Sequence, residues 1–342
     1  MKKAVILFNL GGPDKLESVE PFLFNLFNDP AILNLPAIFR YPLAKLISNR
    51  RAPIVKKIYK EIGGSSPILK LTEDQSAALE KNLNQNELKE EYKCFVVMRC
   101  WNPRAEEVIK NVKLYNPSEI ILMPLYPQYS AVTSGSSIKE WNKVCEKNNC
   151  KIKTSTICCY PTDENFINAH VKEINKKIKI LYNFKLIFSA HGLPQKNIKQ
   201  GDPYQWQVER SVNKIVKNLN YDNLDWILSY QSRVGPLKWI GPSTGNVIIE
   251  NSKIGKHIVL VPIAFVSEHS ETLFELDIEY KKLATNNGCN GYTRVPALGT
   301  NEDFIKTMSE LIINKDEYKL NEKFYPPKIQ CPSNFKKCYC LN

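Results

Sequence analysis

The stretch V-P-I-A-F-V-S-E-H-S-E-T-L-F-E-L, residues 261–276, passes from a buried apolar run into an acidic helical pattern, and its junction holds Glu268, His269 and Glu271. A further histidine, His191, closes another apolar run, K-L-I-F-S-A-H-G-L-P, beside Gly192. An imidazole and a carboxylate brought together make a proton-transfer pair or two ligands for a divalent ion. Structural zinc wants four closed ligands, whereas two protein ligands completed by water suit a metal that is passed on. A purely structural histidine is the competing reading at any strand end. His170, inside the amphipathic pattern N-A-H-V-K-E-I, and His257, at a strand start, are read that way. Glu271, Glu275 and Glu279 recur every four residues, so on an α-helix they form a line along one face. Like charges repel at that spacing, and the row is either a solvated face or a path for metal ions or protons.

Residues so far apart in the chain can meet only if strand ends converge. Three segments of the first half, A-V-I-L-F-N-L-G-G-P, K-C-F-V-V-M-R-C-W-N-P and E-I-I-L-M-P-L-Y-P, are short apolar runs closed by turn signals, as expected of parallel strands covered on both faces. Helical patterns such as E-D-Q-S-A-A-L-E-K-N-L and P-R-A-E-E-V-I-K-N-V-K-L-Y alternate with them. The second half repeats the scheme. N-L-G-G-P matches S-A-H-G-L-P, M-R-C-W-N-P matches Q-S-R-V-G-P, and M-P-L-Y-P-Q-Y-S matches V-P-I-A-F-V-S-E-H. The expected fold is α/β, with two similar Rossmann-like domains, each a parallel sheet flanked by helices. Their expected bounds are residues 1–160 and 161–320, followed by a cysteine-containing tail, 321–342. In open α/β sheets ligands bind beyond the carboxyl ends of the strands, where His191 and Glu271 both fall.

Residues 19–53 interrupt the alternation with an apolar, proline-punctuated and then basic segment. It is either an insertion packed on the core or a lip able to touch a flat apolar ligand or a membrane surface, with Arg40, Arg50 and Arg51 at hand for acidic groups. A net charge of +12 over 342 residues favours acidic ligands, but the lysines are dispersed and no RNP or zinc-finger pattern occurs, so nucleic acid is not an expected partner. Ten scattered cysteines and no secretory signal point to a reducing, cytoplasmic setting. No apolar run approaches the roughly 20 residues of a membrane span. P-loop, dinucleotide and serine-hydrolase fingerprints are missing, and Ser136 and Ser137 in T-S-G-S-S fall where a helix should start, as caps or anion ligands. A metal carrier without chemistry competes with an enzyme, and a base opposite a carboxylate favours the enzyme.

With N-L-G-G-P, R-R-A-P-I-V-K-K-I-Y-K-E-I-G-G-S-S-P-I, P-L-Y-P-Q-Y-S-A-V-T-S-G-S-S, S-A-H-G-L-P, Y-Q-S-R-V-G-P-L-K-W and P-I-A-F-V-S-E-H-S-E-T-L-F-E-L-D-I-E-Y in view, the chain resembles the bacterial type of the ferrochelatase family from about residue 3 to 315. The resemblance implies two Rossmann-like domains with a porphyrin cleft, and insertion of Fe²⁺ into protoporphyrin IX as the last step of haem synthesis. Coproporphyrin III as the acceptor, or a related tetrapyrrole chelatase, is the alternative. It further implies that His191 takes pyrrole protons or binds iron, that Glu271 is its carboxylate partner, and that Glu268, His269, Glu275 and Glu279 support them. Leu10, Arg99, Tyr126 and Phe265 fall at pocket positions, and Arg50, Arg51 and Ser137 are candidates for the substrate's propionates. Cys100 departs from the tyrosine common in relatives. Some relatives hold a [2Fe–2S] cluster, for which Cys331, Cys338 and Cys340 with a fourth cysteine would serve; Ala131 stands where some of them supply a ligand. The apolar lip and positive charge suit loose association with an anionic bilayer, at the inner membrane surface.

Overall fold

A central strand of a parallel sheet must be apolar on both faces, and in β1 (Lys2–Asn9) every residue from Ala4 onward is buried. The computed structural model describes residues 1–85, 90–232, 235, 237–318, 324–325 and 331–341. It divides into two compact units, Met1–Cys159 with Met308–Pro327, and Tyr160–Thr307 with Lys328–Asn342. The chain from Met308 returns to the first unit, and the tail joins the second.

In the first unit β1 lies between β2 (Glu91–Met98) and β3 (Glu119–Pro124), and β3 pairs with β4 (Lys153–Ile157), all parallel. The strand Phe324–Tyr325 adds to the β4 edge, also parallel. Helices α1 (Val19–Phe27), α2 (Ala37–Glu61), α3 (Ile68–Gln85), α4 (Ala105–Tyr115) and α5 (Ser134–Lys147) supply the connections. The second unit contains β5 (Phe184–His191), β6 (Trp226–Gln231), β7 (His257–Pro262) and β8 (Gly291–Arg294) in the order β6-β5-β7-β8, again parallel. Its helices are α6 (Glu164–Ile178), α7 (Gln195–Lys199), α8 (Tyr204–Leu219), α9 (Thr244–Lys253) and α10 (Tyr280–Asn286), and α11 (Glu302–Ile313) starts in this unit and passes to the first at Met308. Asp163 caps α6 by accepting from the backbone N–H groups of Asn165 and Phe166, as an Ncap aspartate should.

The internal repeat reaches the level of single hydrogen bonds. Leu125 N donates to Phe8 O at 2.9 Å in one unit, and Ile263 N donates to Ser189 O at 3.1 Å in the other. Strand register pairs Phe8 with Pro124 and Ser189 with Pro262. Leu10 therefore occupies the position of His191. Met98 N donates to Pro103 O at 2.8 Å, and its counterpart Tyr230 N donates to Pro242 O at 2.9 Å, while Pro236, the expected match of Pro103, lies outside the described residues. The second unit has the longer loop there.

In both units the first strand is central and its neighbours diverge to either side, so the topological switch point lies between the first and third strands. A ligand crevice is expected at the carboxyl ends of that strand pair. In the second unit these are the ends of β5 and β7, which carry His191 and the junction before Glu271.

Residues 19–53 divide between the two readings offered for them. α1 and one face of α2 pack inward through Val19, Phe22, Leu23, Ala52 and Tyr59, together with Cys100. The start of α2 does not: Ile38 is 76%, Phe39 64% and Tyr41 60% exposed.

Gly192 holds the turn after His191 against the neighbouring strand. A Cβ there would lie 2.8 Å from Gln231 O and 3.3 Å from the Trp239 ring. Gly192→Ala is expected to cost about 1–3 kcal/mol through this overpacking. Urea unfolding measures it, and an unchanged midpoint removes the close-approach argument.

Candidate active site at the end of strand β5

The backbone at His191 is fixed by pairing with Gln231 of β6, in a strand that β7 flanks as far as Ser189. Its carbonyl accepts from the Tyr204 hydroxyl at 3.1 Å. The ring then presents Nδ1 to Glu271 Oε2 at 2.8 Å, with the imidazole 38% and the carboxylate 26% exposed. This is a partly open pair. Phe265 stands edge-on to His191, 6.5 Å between centroids, and to His269 at 4.4 Å. His269 is bound into the turn: its N–H donates to Thr272 Oγ1 at 2.9 Å and its Nδ1 accepts from Thr272 N at 3.3 Å.

The expected α-helix carrying the acidic row is corrected. Glu271–Glu279 is a π-helix. Its i→i+5 pattern widens each turn, so a four-residue spacing drifts around the helix, and such segments concentrate at functional sites. Glu271 and Glu275 point to one cluster of donors while Glu279 is exposed. Ser232 Oγ donates to Glu271 Oε2 at 3.2 Å and also to Glu275 Oε2, and Ser232 N donates to Glu275 Oε1 at 3.0 Å. Gln231 Nε2 lies 3.4 Å from Glu271 Oε2 and 3.3 Å from Glu275 Oε2, and the Tyr280 hydroxyl donates to Glu275 at 2.9 Å.

Burial opposes the charged form of every group here, and their neighbours decide the outcome. Attraction to Glu271, with help from Glu275, overcomes burial at His191 and raises its pKa. The same attraction holds the Glu271 carboxyl down, to about 2. Burial and the Glu271 charge together raise Glu275. Burial lowers His269, which is held neutral, and burial raises Glu279. Two neighbouring carboxylates with opposite proton preferences form a coupled pair able to hold and release a proton.

The other expected site residues fall into separate groups. Glu268 makes an ion pair with Arg294 at 2.7 Å and accepts from Ala297 N at 2.9 Å, which places it outside the His191 cluster. In the first unit Leu10 follows the end of β1, and Arg99 is held by Asp29 at 2.9 Å, Glu140 at 3.1 Å and Ser136 at 2.8 Å. The buried Tyr126 hydroxyl lies beside Ser137, and its pKa is pushed up by burial. α5 begins at Ser134 with Thr133 as Ncap, so Ser136 and Ser137 are inside the helix, and Ser136 donates to Asp29 instead of capping. Arg50 is exposed on α2, and Arg51 lies 5.6 Å from the Phe27 ring. His257 meets Thr293 at 2.8 Å and His170 is buried against Phe166. Ser232, Gln231, Tyr280 and Arg294 were not singled out in the sequence. Q-S at the end of β6 was the available signal for the first two, since β6 borders β5.

The tail cysteines were tested as ligands for a [2Fe–2S] cluster. Cys331 and Cys338 are buried and Cys340 partly so, and Gln207 Nε2 approaches Cys331 Sγ at 3.2 Å. Among the described residues no group of three or more His, Cys, Asp or Glu side chains is arranged to hold a metal ion.

The fold is that of the chelatases. The cobalt complex of the sirohydrochlorin chelatase SirB from Bacillus subtilis subspecies spizizenii superposes with a TM-score of 0.54, covering 93% of this chain and 98% of that one at 13% identity. A multi-domain Deinococcus radiodurans protein, DR2241, described as similar in structure to chelatases, gives a TM-score of 0.50 over 94% of this chain and 56% of its own, at 9% identity. Likeness at such identities concerns the fold alone. The chain belongs to the ferrochelatase family, whose model matches residues 2–316. It is 81% identical to the ferrochelatase of Pelagibacter ubique (strain HTCC1062) over 100% of this chain and 99% of that one. It is 50% identical to the ferrochelatase of Rickettsia felis (strain ATCC VR-1525 / URRWXCal2), covering 99% of each.

The pair leaves a signature in stability against pH. His191, raised on folding, stabilises fully below its ordinary value of 6.5, and the benefit is lost as pH rises through the folded value. Glu271, depressed on folding, stabilises above its ordinary 4.5, and the benefit is lost as pH falls toward about 2. Glu271→Gln is thus expected to lower Tm most between those two ordinary values and less on either side. Partial exposure limits the effect to roughly 1 kcal/mol. A Tm deficit that is flat from pH 4 to pH 9 would contradict the ion pair.

Proposed function

We propose that this protein inserts Fe²⁺ into a dicarboxylic porphyrin, protoporphyrin IX, as a lyase of haem biosynthesis. The observation that carries the reading is the His191–Glu271 contact of 2.8 Å at an open topological switch point, in a chain of the ferrochelatase family. A planar porphyrin keeps two pyrrole protons in the path of the metal, so insertion needs a bent macrocycle and a placed base. In the neutral imidazole, Nδ1–H donates to Glu271, leaving the Nε2 lone pair to take a pyrrole proton. The resulting imidazolium is stabilised by the Glu271 carboxylate. Glu271 also offers an oxygen to the incoming iron, and its neighbour Glu275, the more easily protonated of the two, receives protons. With so few protein donors the ion stays exchangeable, as a substrate metal must.

Leu10, Arg99, Tyr126, Ser137 and Phe265 are proposed porphyrin contacts, with Arg50 and Arg51 for the propionates. Arg99 already faces two carboxylates, so it would act through positioning more than by free charge. The exposed Ile38, Phe39 and Tyr41, together with the net charge of +12, support peripheral attachment to an anionic membrane from the cytoplasmic side. No described helix is long and apolar enough to cross one. Iron and acid-labile sulfide in anaerobically purified protein test whether the tail thiols take up a [2Fe–2S] cluster.

His191→Ala and Glu271→Gln are each expected to lower kcat by about 10²–10⁴ while leaving porphyrin binding, followed by fluorescence quenching, largely intact. Near-wild-type turnover in either variant overturns the assignment. Porphyrin binding without any insertion by the wild type would favour a carrier. Protoporphyrin IX is expected to outperform coproporphyrin III in the same anaerobic assay, and the reverse order reassigns the substrate.

A further inference from the structure

A π-helix is uncommon, and one that must hold catalytic carboxylates needs anchors outside its own hydrogen bonds. Glu271–Glu279 is anchored on its apolar side by Leu276, which is fully buried among Ile187, Ile258 and Leu260. Its polar side meets β8. Arg294, the last residue of that strand, has a side chain only 12% exposed. Its Nη1 donates to Glu268 Oε1 at 2.7 Å, while Nε and Nη2 donate to the two oxygens of Asp277 at 2.6 and 2.8 Å. Two residues earlier, the Tyr292 hydroxyl donates to the carbonyl of Leu276.

One guanidinium therefore grips the chain on both sides of Glu271 and Glu275: before them at Glu268, and after them at Asp277. The fork geometry matters, since a planar guanidinium fixes a carboxylate in direction as well as distance, which an ammonium does not. None of these contacts reaches His191, Glu271 or Glu275. We propose that Arg294 is a positioning residue for metal insertion, and that it clamps the π-helix so that Glu271 and Glu275 stay in register with the His191 end of β5. This rests on the reading of Glu271 and Glu275 as the groups that serve insertion.

Complete removal of the guanidinium would strand two carboxylates and threaten folding. Arg294→Lys, which keeps the charge and loses the fork, and Asp277→Asn, at a more exposed partner, are the variants to use. Hydrogen exchange read by mass spectrometry should show amides of residues 271–279 exchanging about tenfold faster in both variants, with β5 and β7 unchanged. In the anaerobic Fe²⁺ assay kcat should fall by roughly 10- to 100-fold with KM for porphyrin unchanged, as expected when reacting groups are misplaced. A general loss of folded protein would instead speed exchange across β5 and β7 as well. Unaltered exchange across 271–279 in both variants overturns the clamp, whatever the reaction proves to be. Faster exchange with wild-type kcat overturns its link to insertion. Failure of the functional reading itself shows separately, as full turnover in His191→Ala.

Discussion

An imidazole and a carboxylate separated by 80 positions in the chain are held 2.8 Å apart, and the second unit is organised around keeping them there. Each comes from an element fixed independently. His191 is the last residue of a strand flanked on both sides, and Glu271 is the first residue of a π-helix whose Leu276 is sunk in the core. Neither can drift without breaking sheet or core contacts. The cost of orienting the two groups is thus met by folding, before any substrate arrives.

The same junction concentrates negative charge, and each carboxylate has its own remedy. Glu268 is neutralised by Arg294, Glu271 by His191, and Glu275 by donors from Ser232 and Tyr280. The Gln231 amide serves Glu271 and Glu275 together, and it is oriented from below. Ser189 donates to Gln231 Oε1 at 2.7 Å, and Thr244 lies 3.0 Å from Ser189 and 2.9 Å from Ser229. With its oxygen so occupied, the amide turns its NH₂ toward the acids. A buried polar chain of this kind is stable only when its members are satisfied, and here it also specifies which way one side chain faces. Glu279, lacking such donors, stays in solvent.

The parallel strands were legible because both-face burial demands continuous apolar runs, and His191 was legible because it closes such a run, with Glu271 in the acidic stretch that follows another. The repeat was legible in its turn motifs, and the longer loop after β6 brings Pro242 to the backbone contact that Pro103 makes in the first unit. Helix type was hidden: a row of glutamates four apart fits an α-helix on spacing alone, and the π-helix carries tertiary contacts at Leu276 and Asp277 that spacing does not encode. Arg294 and Ser232 were hidden for a related reason. Their roles come from sheet order, which sets β8 beside β7 and β6 beside β5, and local pattern does not encode neighbour order.

The two units show how little of the function belongs to the fold. Their strand orders agree, and matching backbone hydrogen bonds place Leu10 where the other unit has His191. One frame ends in an apolar side chain and the other in a base. Next to Leu10, the first unit closes its charges upon themselves, with Arg99 held between Asp29 and Glu140. The second leaves an imidazole and a carboxylate partly open. Backbone register fixes where a crevice forms, and the side chain at one strand end decides whether chemistry can occur in it.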